Sequence, residues 1–205
     1  QEPKDPSWRN DGVLGGALLF DGFTTQFSYE DFDWPEGSFT LSGWIAPRAF
    51  PGAYDDNFSS IISSYTEADG MMDDGIDFGM HRHGAFGLRM VMTKDGVDET
   101  IQLFDEGHPL DKYAWNHVGV SFNADTGRVM LFKNGEVINQ TFTSEEDMAI
   151  KESVSDLYVG KNAHSTFIAG NDARAGYRTI PPFPAPVFKE NEIVKSFFVI
   201  QITSF

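Results

Sequence analysis

Short runs that alternate apolar and polar residues, each closed by a turn signal, recur roughly every ten residues along this chain, and no stretch keeps a helical period. The clearest are Phe39–Ile45 and Trp115–Phe122. In the first, Phe39, Leu41 and Ile45 share one face while Thr40, Ser42 and Trp44 share the other. In the second, Val118, Val120 and Phe122 line one face. Period two is the mark of a strand with one buried side. Ala17–Phe20, Ser60–Tyr65, Ile76–His81, Phe86–Met92, Val129–Phe132, Val137–Phe142 and Leu157–Gly160 read as further strands. Asp21-Gly22, His83-Gly84, Asp95-Gly96 and Asn134-Gly135 supply the turns between them. Ser144–Asp147 is expected to cap one short helical turn. The pattern predicts an all-β fold, an antiparallel sandwich or jelly roll. One domain is expected over residues 8–205, after a polar lead at 1–7. Within it, the Pro-rich stretch 164–192 reads as an irregular C-terminal extension. Residues 193–205 read as a closing strand, since an apolar strand left unpaired would be an aggregating edge.

Charge narrows the partners. The 205 residues carry 31 Asp and Glu against 15 Lys and Arg, a formal net charge of -16. A phosphate-backbone binder needs the opposite sign, so nucleic acid is excluded as the expected partner, and anionic membrane surfaces with it. No apolar run approaches the roughly 18 residues of a membrane span, so membrane insertion is not expected. The chain has no cysteine, which rules out disulfides and thiolate zinc sites. Its start lacks a basic segment and an apolar signal core. The protein is therefore either cytoplasmic, or the sequence begins after a removed signal or inside a longer chain.

If the alternations hold, the solvent faces bear Thr40, Ser42 and Trp44; Asp77 and His81; Arg89; Trp115 and His117. A sugar site wants a flat aromatic under the ring and a few fixed polar groups for the hydroxyls, and these residues supply both. Each also has a plainer reading. Trp44 and Trp115 can pack under a covering loop, and Arg89 can simply pair with Asp77. His81 and His83 are two apart, on one face if the strand persists, and could begin an imidazole metal site, but the Gly84 turn that follows makes His83 a loop residue.

Five segments in order carry a family resemblance: Ala17–Gly22, Ser38–Ile45, Trp115–Val120, Gly127–Gly135 and Leu157–Asn162. Together, over roughly residues 8 to 163, the chain resembles the laminin G-like (concanavalin A-like) jelly-roll domains, including the pentraxin branch. Ala46–Pro51 is similar to copies of this domain attached to bacterial glycoside hydrolases, some of them fructan-cleaving. The resemblance implies a secreted or cell-surface domain of two curved sheets that binds rather than catalyses, often with one calcium ion. For this chain it implies calcium at Asp21 and Gly22, with Glu192 as the only second half available. The closing acidic strand of the family is represented at best by Glu190–Lys195. The oxygen-rich loop Asp55-Asp56-Asn57 falls where related domains engage ligands, and Met71–Gly75 is a third acidic loop; each can also be a solvated turn. Related glucanases place three acids at alternate positions of one strand, and retaining glycosidases need two carboxyls about 5 Å apart. Asp31 with Asp33, Glu190 with Glu192, and Asp73, Asp74 and Asp77 do not reproduce that spacing.

The expected function is thus a non-catalytic, lectin-like carbohydrate-binding module of an extracellular carbohydrate-active protein, stabilised by calcium. Its partners would be an oligo- or polysaccharide and an attached catalytic domain. Trp44, Asp77, Arg89, His117, Asp55, Asp56 and Asn57 are the expected ligand contacts. A protein-adhesion module packing on a neighbouring domain is the first alternative. A jelly-roll glycoside hydrolase or polysaccharide lyase is the second.

Overall fold

The computed structural model describes residues 7–13, 15–20, 27–48, 50 and 58–160. In chain order its strands are β1 (Ser7–Gly12), β2 (Gly15–Leu19), β3 (Phe27–Tyr29), β4 (Phe39–Ile45), β5 (Ser59–Ser64), β6 (Glu67–Ala68), β7 (Met71–Met72), β8 (Ile76–Met80), β9 (Phe86–Lys94), β10 (Val97–Asp105), β11 (Asn116–Asn123), β12 (Arg128–Lys133), β13 (Glu136–Phe142), β14 (Ala149–Ile150) and β15 (Leu157–Val159). Three hairpins turn on the same two-residue chemistry. Asp69-Gly70, Asp95-Gly96 and Asn134-Gly135 all have positive φ at both positions and join β6 to β7, β9 to β10 and β12 to β13. That backbone suits the twist of paired strands and tolerates few residues other than Asn, Asp and Gly.

Two antiparallel sheets result. The larger runs β10-β9-β8-β5-β15-β3, with β14 pairing β9 beyond the end of β8. The smaller runs β13-β12-β11-β4. One apolar core lies between them. Phe39, Leu41, Val120 and Phe122 enter it from the smaller sheet, and Phe78, Leu88 and Met90 from the larger. The Phe39 and Phe122 rings meet at 5.9 Å, and Trp34 closes one side of the core against Phe39 and Phe32. β4 alternates buried and half-buried along its whole length, as its sequence requires.

The larger sheet departs from the one-sided expectation. All six residues of β5 are buried, and Ser60, Ser63, Asp77 and Val91 on the face away from the core are buried too. Small serines leave room there for the rings of Phe58 and Tyr65, both buried. Gly79 and Gly87 sit opposite each other on β8 and β9 of the same face. A Cβ on Gly79 would stand 2.9 Å from the Phe58 ring, and one on Gly87 2.7 Å from the Phe104 ring. Two adjacent glycines therefore make a trough in which both aromatics lie, with their centroids 5.7 Å apart.

Two further differences follow from local chemistry. Ser144–Asp147 is not a helical turn: Asp147 is left-handed at φ 56, and the Ser144 amide donates to Glu99 rather than capping its own segment. β10 carries no clean alternation because in its first half Val97, Asp98 and Thr100 are exposed and Glu99 is half-buried at the sheet edge, and only Ile101 and Leu103 reach the core. The expected closing strand at 193–205 and the extension at 164–192 lie outside the described residues.

Candidate functional site

Strand register assembles an unbroken polar row across the outer face of the larger sheet. Gln102 of β10 lies opposite Arg89 of β9, Arg89 opposite Asp77 of β8, and Asp77 opposite Ser63 of β5. Ser63 is opposite Tyr158 of β15, which is opposite Ser28 of β3. At the centre, Arg89 Nη2 donates to Asp77 Oδ2 at 2.7 Å. The guanidinium is also held over the rings of Phe58, 5.2 Å from its centroid, and Tyr65, at 5.7 Å. Cation–π contacts on two sides and an ion pair on a third leave it little freedom.

The two charges differ in exposure. The Asp77 side chain is 0% exposed, whereas that of Arg89 is 25% exposed. Burial pushes the Asp77 carboxyl up to about 6 against the pull of Arg89, and Glu67 adds to the upward push. Burial also weakens the basicity of Arg89, but Asp77, Tyr65 and Glu67 outweigh it and raise the guanidinium above its ordinary value. Asp77 was expected on a solvent face. It does lie on the outer face, but Arg89 from the next strand is drawn down onto it, so Asp77 fixes Arg89 and cannot itself touch a ligand. His81, at the end of β8, packs on Phe104 at 5.6 Å, and His83 sits exposed in the Arg82–Gly84 turn.

Trp44 and His117 form a second cluster. They are cross-strand partners on β4 and β11, with ring centroids 5.1 Å apart, and both are half-buried. Burial lowers the affinity of His117 for a proton. Its main chain is tied to the Asn134-Gly135 turn: the His117 amide donates to Asn134 Oδ1 and its carbonyl accepts from the Asn134 amide. A histidine that is less basic when folded binds fewer protons than in the unfolded chain, so its contribution to stability is lost as pH falls through the usual histidine range. His117→Gln is therefore expected to lose less stability than the unchanged protein between pH 7 and pH 5, read as melting midpoints across that range.

The two clusters are on opposite outer faces, because Trp44 points away from the core on the smaller sheet and Arg89 does so on the larger. The expected contact list is thus split, and one small sugar cannot touch both parts. Asp55, Asp56 and Asn57 lie outside the described residues, although they directly precede Phe58 in the chain. Asp21, Gly22 and Glu192, the expected calcium ligands, lie outside them as well. The third acidic loop does not fit a cation: Asp74 accepts from both the amide and hydroxyl of Thr66, and Asp73 faces Lys151 at 3.6 Å. Among the described residues no group of three or more His, Asp or Glu is placed to hold a metal ion. No helix of the described residues is long and apolar enough to cross a membrane.

Phe58, Tyr65, Glu67, Ser63, Gln102 and Tyr158 were not singled out in the sequence. Their signal was present as register: aligning β5, β8 and β9 antiparallel brings Ser63, Asp77 and Arg89 into one row. The irregularity between Ser60 and Ile62 in β5 hides it, because it shifts the strand's parity midway.

Two antiparallel sheets closed on one core, with the polar groups on an outer sheet face, define a β-sandwich of the jelly-roll class. The chain belongs to the concanavalin A-like lectin/glucanases superfamily, whose family model matches residues 21–173. No curated protein sequence matches it significantly. Among solved structures it is similar to the CBM40 module of Ruminococcus gnavus IT-sialidase, at 14% identity and TM-score 0.50, covering 83% of this chain and 85% of that one. That module has also been solved bound to alpha2,3 sialyllactose. The enzymatically active domain of Bacteriophage CBA120 tailspike protein 2 matches at 11% identity and TM-score 0.53, over 92% of this chain and 28% of that one. The binding domain of botulinum neurotoxin serotype G matches at 12% identity and TM-score 0.53, over 82% and 40%. At these identities the likeness is one of fold.

Proposed function

We propose that this domain is a non-catalytic carbohydrate-binding module whose ligand lies on the outer face of the larger sheet, against Arg89. The observation that carries the reading is the guanidinium itself: it is immobilised by Asp77, Phe58 and Tyr65, yet a quarter of its side chain stays open. A pre-positioned planar donor suits the hydroxyls of a sugar, and its rigidity lowers the ordering cost of binding. The sugar-binding neighbour of the same fold supports the class of ligand. An extracellular setting beside a catalytic domain belongs to this reading, as does calcium held by Asp21, Gly22 and Glu192.

Substitution separates the two faces. Arg89→Lys keeps a cation for Asp77 but loses the planar fork, and is expected to weaken glycan binding about tenfold or more. Trp44→Ala, on the opposite face, is expected to change affinity by less than about twofold. Calorimetric titration of both variants, in calcium and in EDTA, measures this. The opposite pattern would move the site to Trp44 and His117, and identical titrations with and without calcium would remove the ion from the reading.

Protein adhesion stands second. Val137 and Phe142 are 49% and 54% exposed on β13, an edge strand of the smaller sheet, and such side chains suit contact with another protein.

A further inference from the structure

The polar row through Arg89 is open only at its two ends. Its middle is closed, since Asp77 and Ser63 are both 0% exposed. At one end stand Tyr158, half-buried, and Ser28, exposed. At the other stand Arg89, with a quarter of its side chain open, and Gln102, exposed on the edge strand β10. A ligand that reaches the guanidinium therefore comes from the β10 side. There Arg89 can only donate hydrogen bonds. The acid paired with it is buried beyond the reach of a ligand, so nothing in the ion pair accepts a hydroxyl proton. Gln102 supplies the missing acceptor. It is the cross-strand partner of Arg89, and strands about 4.8 Å apart keep two such side chains within reach of one molecule. Its side chain makes no hydrogen bond among the described residues, so its carbonyl and its amide are both available. Phe104 follows two residues later on the same face and is half-buried. His81 at 5.6 Å and Phe58, edge to face at 5.7 Å, hold its ring in place beside the two polar side chains. Gly87 lies opposite Phe104 and leaves the ring that room, because a Cβ there would stand 2.7 Å from it.

We propose that Gln102 is the specificity-determining residue of the Arg89 face, an inference that rests on the carbohydrate-binding reading above. The two side chains together read a pair of adjacent hydroxyls: one oxygen accepts from the guanidinium, and its neighbour gives its proton to the Gln102 carbonyl. The ligand class is a glycan unit with a free vicinal diol, its carbon–hydrogen face turned to Phe104. A guanidinium alone accepts hydroxyls in many arrangements. An acceptor at a fixed offset from it tells one arrangement from another, because the wrong epimer leaves a hydrogen bond unmade.

The test titrates malto-, cello-, manno-, galacto- and fructo-oligosaccharides into the unmodified protein, Gln102→Leu, Arg89→Lys and Tyr158→Phe. Gln102→Leu keeps the length of the side chain and loses its amide. It is expected to weaken the tightest-binding sugar about three- to tenfold and to narrow the spread of affinities across the panel. Its melting midpoint should stay within about 2 °C of the unmodified protein, because the replaced side chain is exposed and unbonded, so a structural loss is told apart from a lost contact. Tyr158→Phe, at the far end of the row, is expected to change affinity less than about twofold. Weakened binding in Arg89→Lys with an unchanged affinity and spread in Gln102→Leu would overturn the role of Gln102 and leave carbohydrate binding intact. A loss in Tyr158→Phe with none in Gln102→Leu would overturn it too, by moving the ligand to the β15–β3 end. Failure of every sugar to bind the unmodified protein would overturn the carbohydrate reading and this inference together.

Discussion

Arg89→Met is expected to destabilise the domain by an amount that grows with pH. The unchanged protein already bears a cost at neutral pH, because its Asp77 titrates near 6 when folded and near 3.8 when unfolded. A carboxyl with a raised folded value binds more protons folded than unfolded, so its contribution is most favourable at low pH and is lost as pH climbs from about 4 through about 6. Above that window the pair is ionised in the intact protein and the loss stops. Without Arg89 there is no stop: Asp77 remains at 0% exposure with its cation removed, and it stays protonated to higher pH. The deficit of the variant then grows by about 1.4 kcal/mol per pH unit above 6, reaching roughly 3 kcal/mol at pH 8. For a domain of this size that is a fall of roughly 6–12 °C in melting midpoint. At pH 5 the electrostatic part vanishes and only the lost ring contacts remain, partly replaced by the methionine. Adding Asp77→Asn removes the pH dependence of the deficit, because no carboxyl is left to titrate. Urea denaturation at pH 5, 7 and 8 measures all three proteins, and a deficit that is flat across that range would show that Asp77 is not buried against Arg89.

The same pair shows where a sequence is legible and where it is not. Phe39–Ile45 could be read outright, because each residue's environment follows from its own parity, and a half-buried Trp44 on the outer face is what that parity requires. The Asn134-Gly135 and Asp95-Gly96 turns could be read for a similar reason: left-handed backbone at two successive residues admits few side chains. Asp77 and Arg89 were both found on one face, and even their pairing was foreseen as the plainer reading. That they lie on the opposite side of the molecule from Trp44 was not legible. It depends on assigning β4 to one sheet and β8 and β9 to the other, and that is decided by long-range pairing rather than by any local pattern. Nor does alternation reveal that an outer face is buried. Asp77 reads as a solvent residue, yet it is buried on that face, where Arg89 is held over Phe58 and Tyr65 from the ends of β5. Edge strand β10 escaped because exposed acids satisfy the edge and break the alternation at once.

The Trp115-Asn116-His117 run invites a binding role, but Asn116 is a clamp, and its substitution should show it. The side chain is fully buried. Its Oδ1 accepts from the Asp111 amide at 3.0 Å, and its Nδ2 donates to the carbonyls of Ala114 at 2.8 Å and Asp111 at 3.0 Å, with Ile45 O at 3.5 Å. One amide thus closes the loop before β11 and joins it to the end of β4. The loop reaches the same region by its main chain, since the Tyr113 amide donates to Pro47 O. Asn116→Ala removes every one of these bonds and leaves part-buried backbone groups without partners, which should cost about 2–4 kcal/mol. Asn116→Asp is nearly the same shape and keeps the acceptor for Asp111, so on packing alone it should be the milder change. Electrostatics reverse the order. The new oxygen faces carbonyls where a donor stood, and among the described residues no cation bonds this side chain, so roughly 3–5 kcal/mol is lost at pH 7. Lowering the pH to 5 should recover part of that loss in Asn116→Asp and none in Asn116→Ala, because only the former has a proton to take up. Denaturation midpoints at the two pH values decide it. If Asn116→Asp proves the more stable variant at pH 7, the donor bonds to the carbonyls are not what holds the loop, and a surface role for the motif returns.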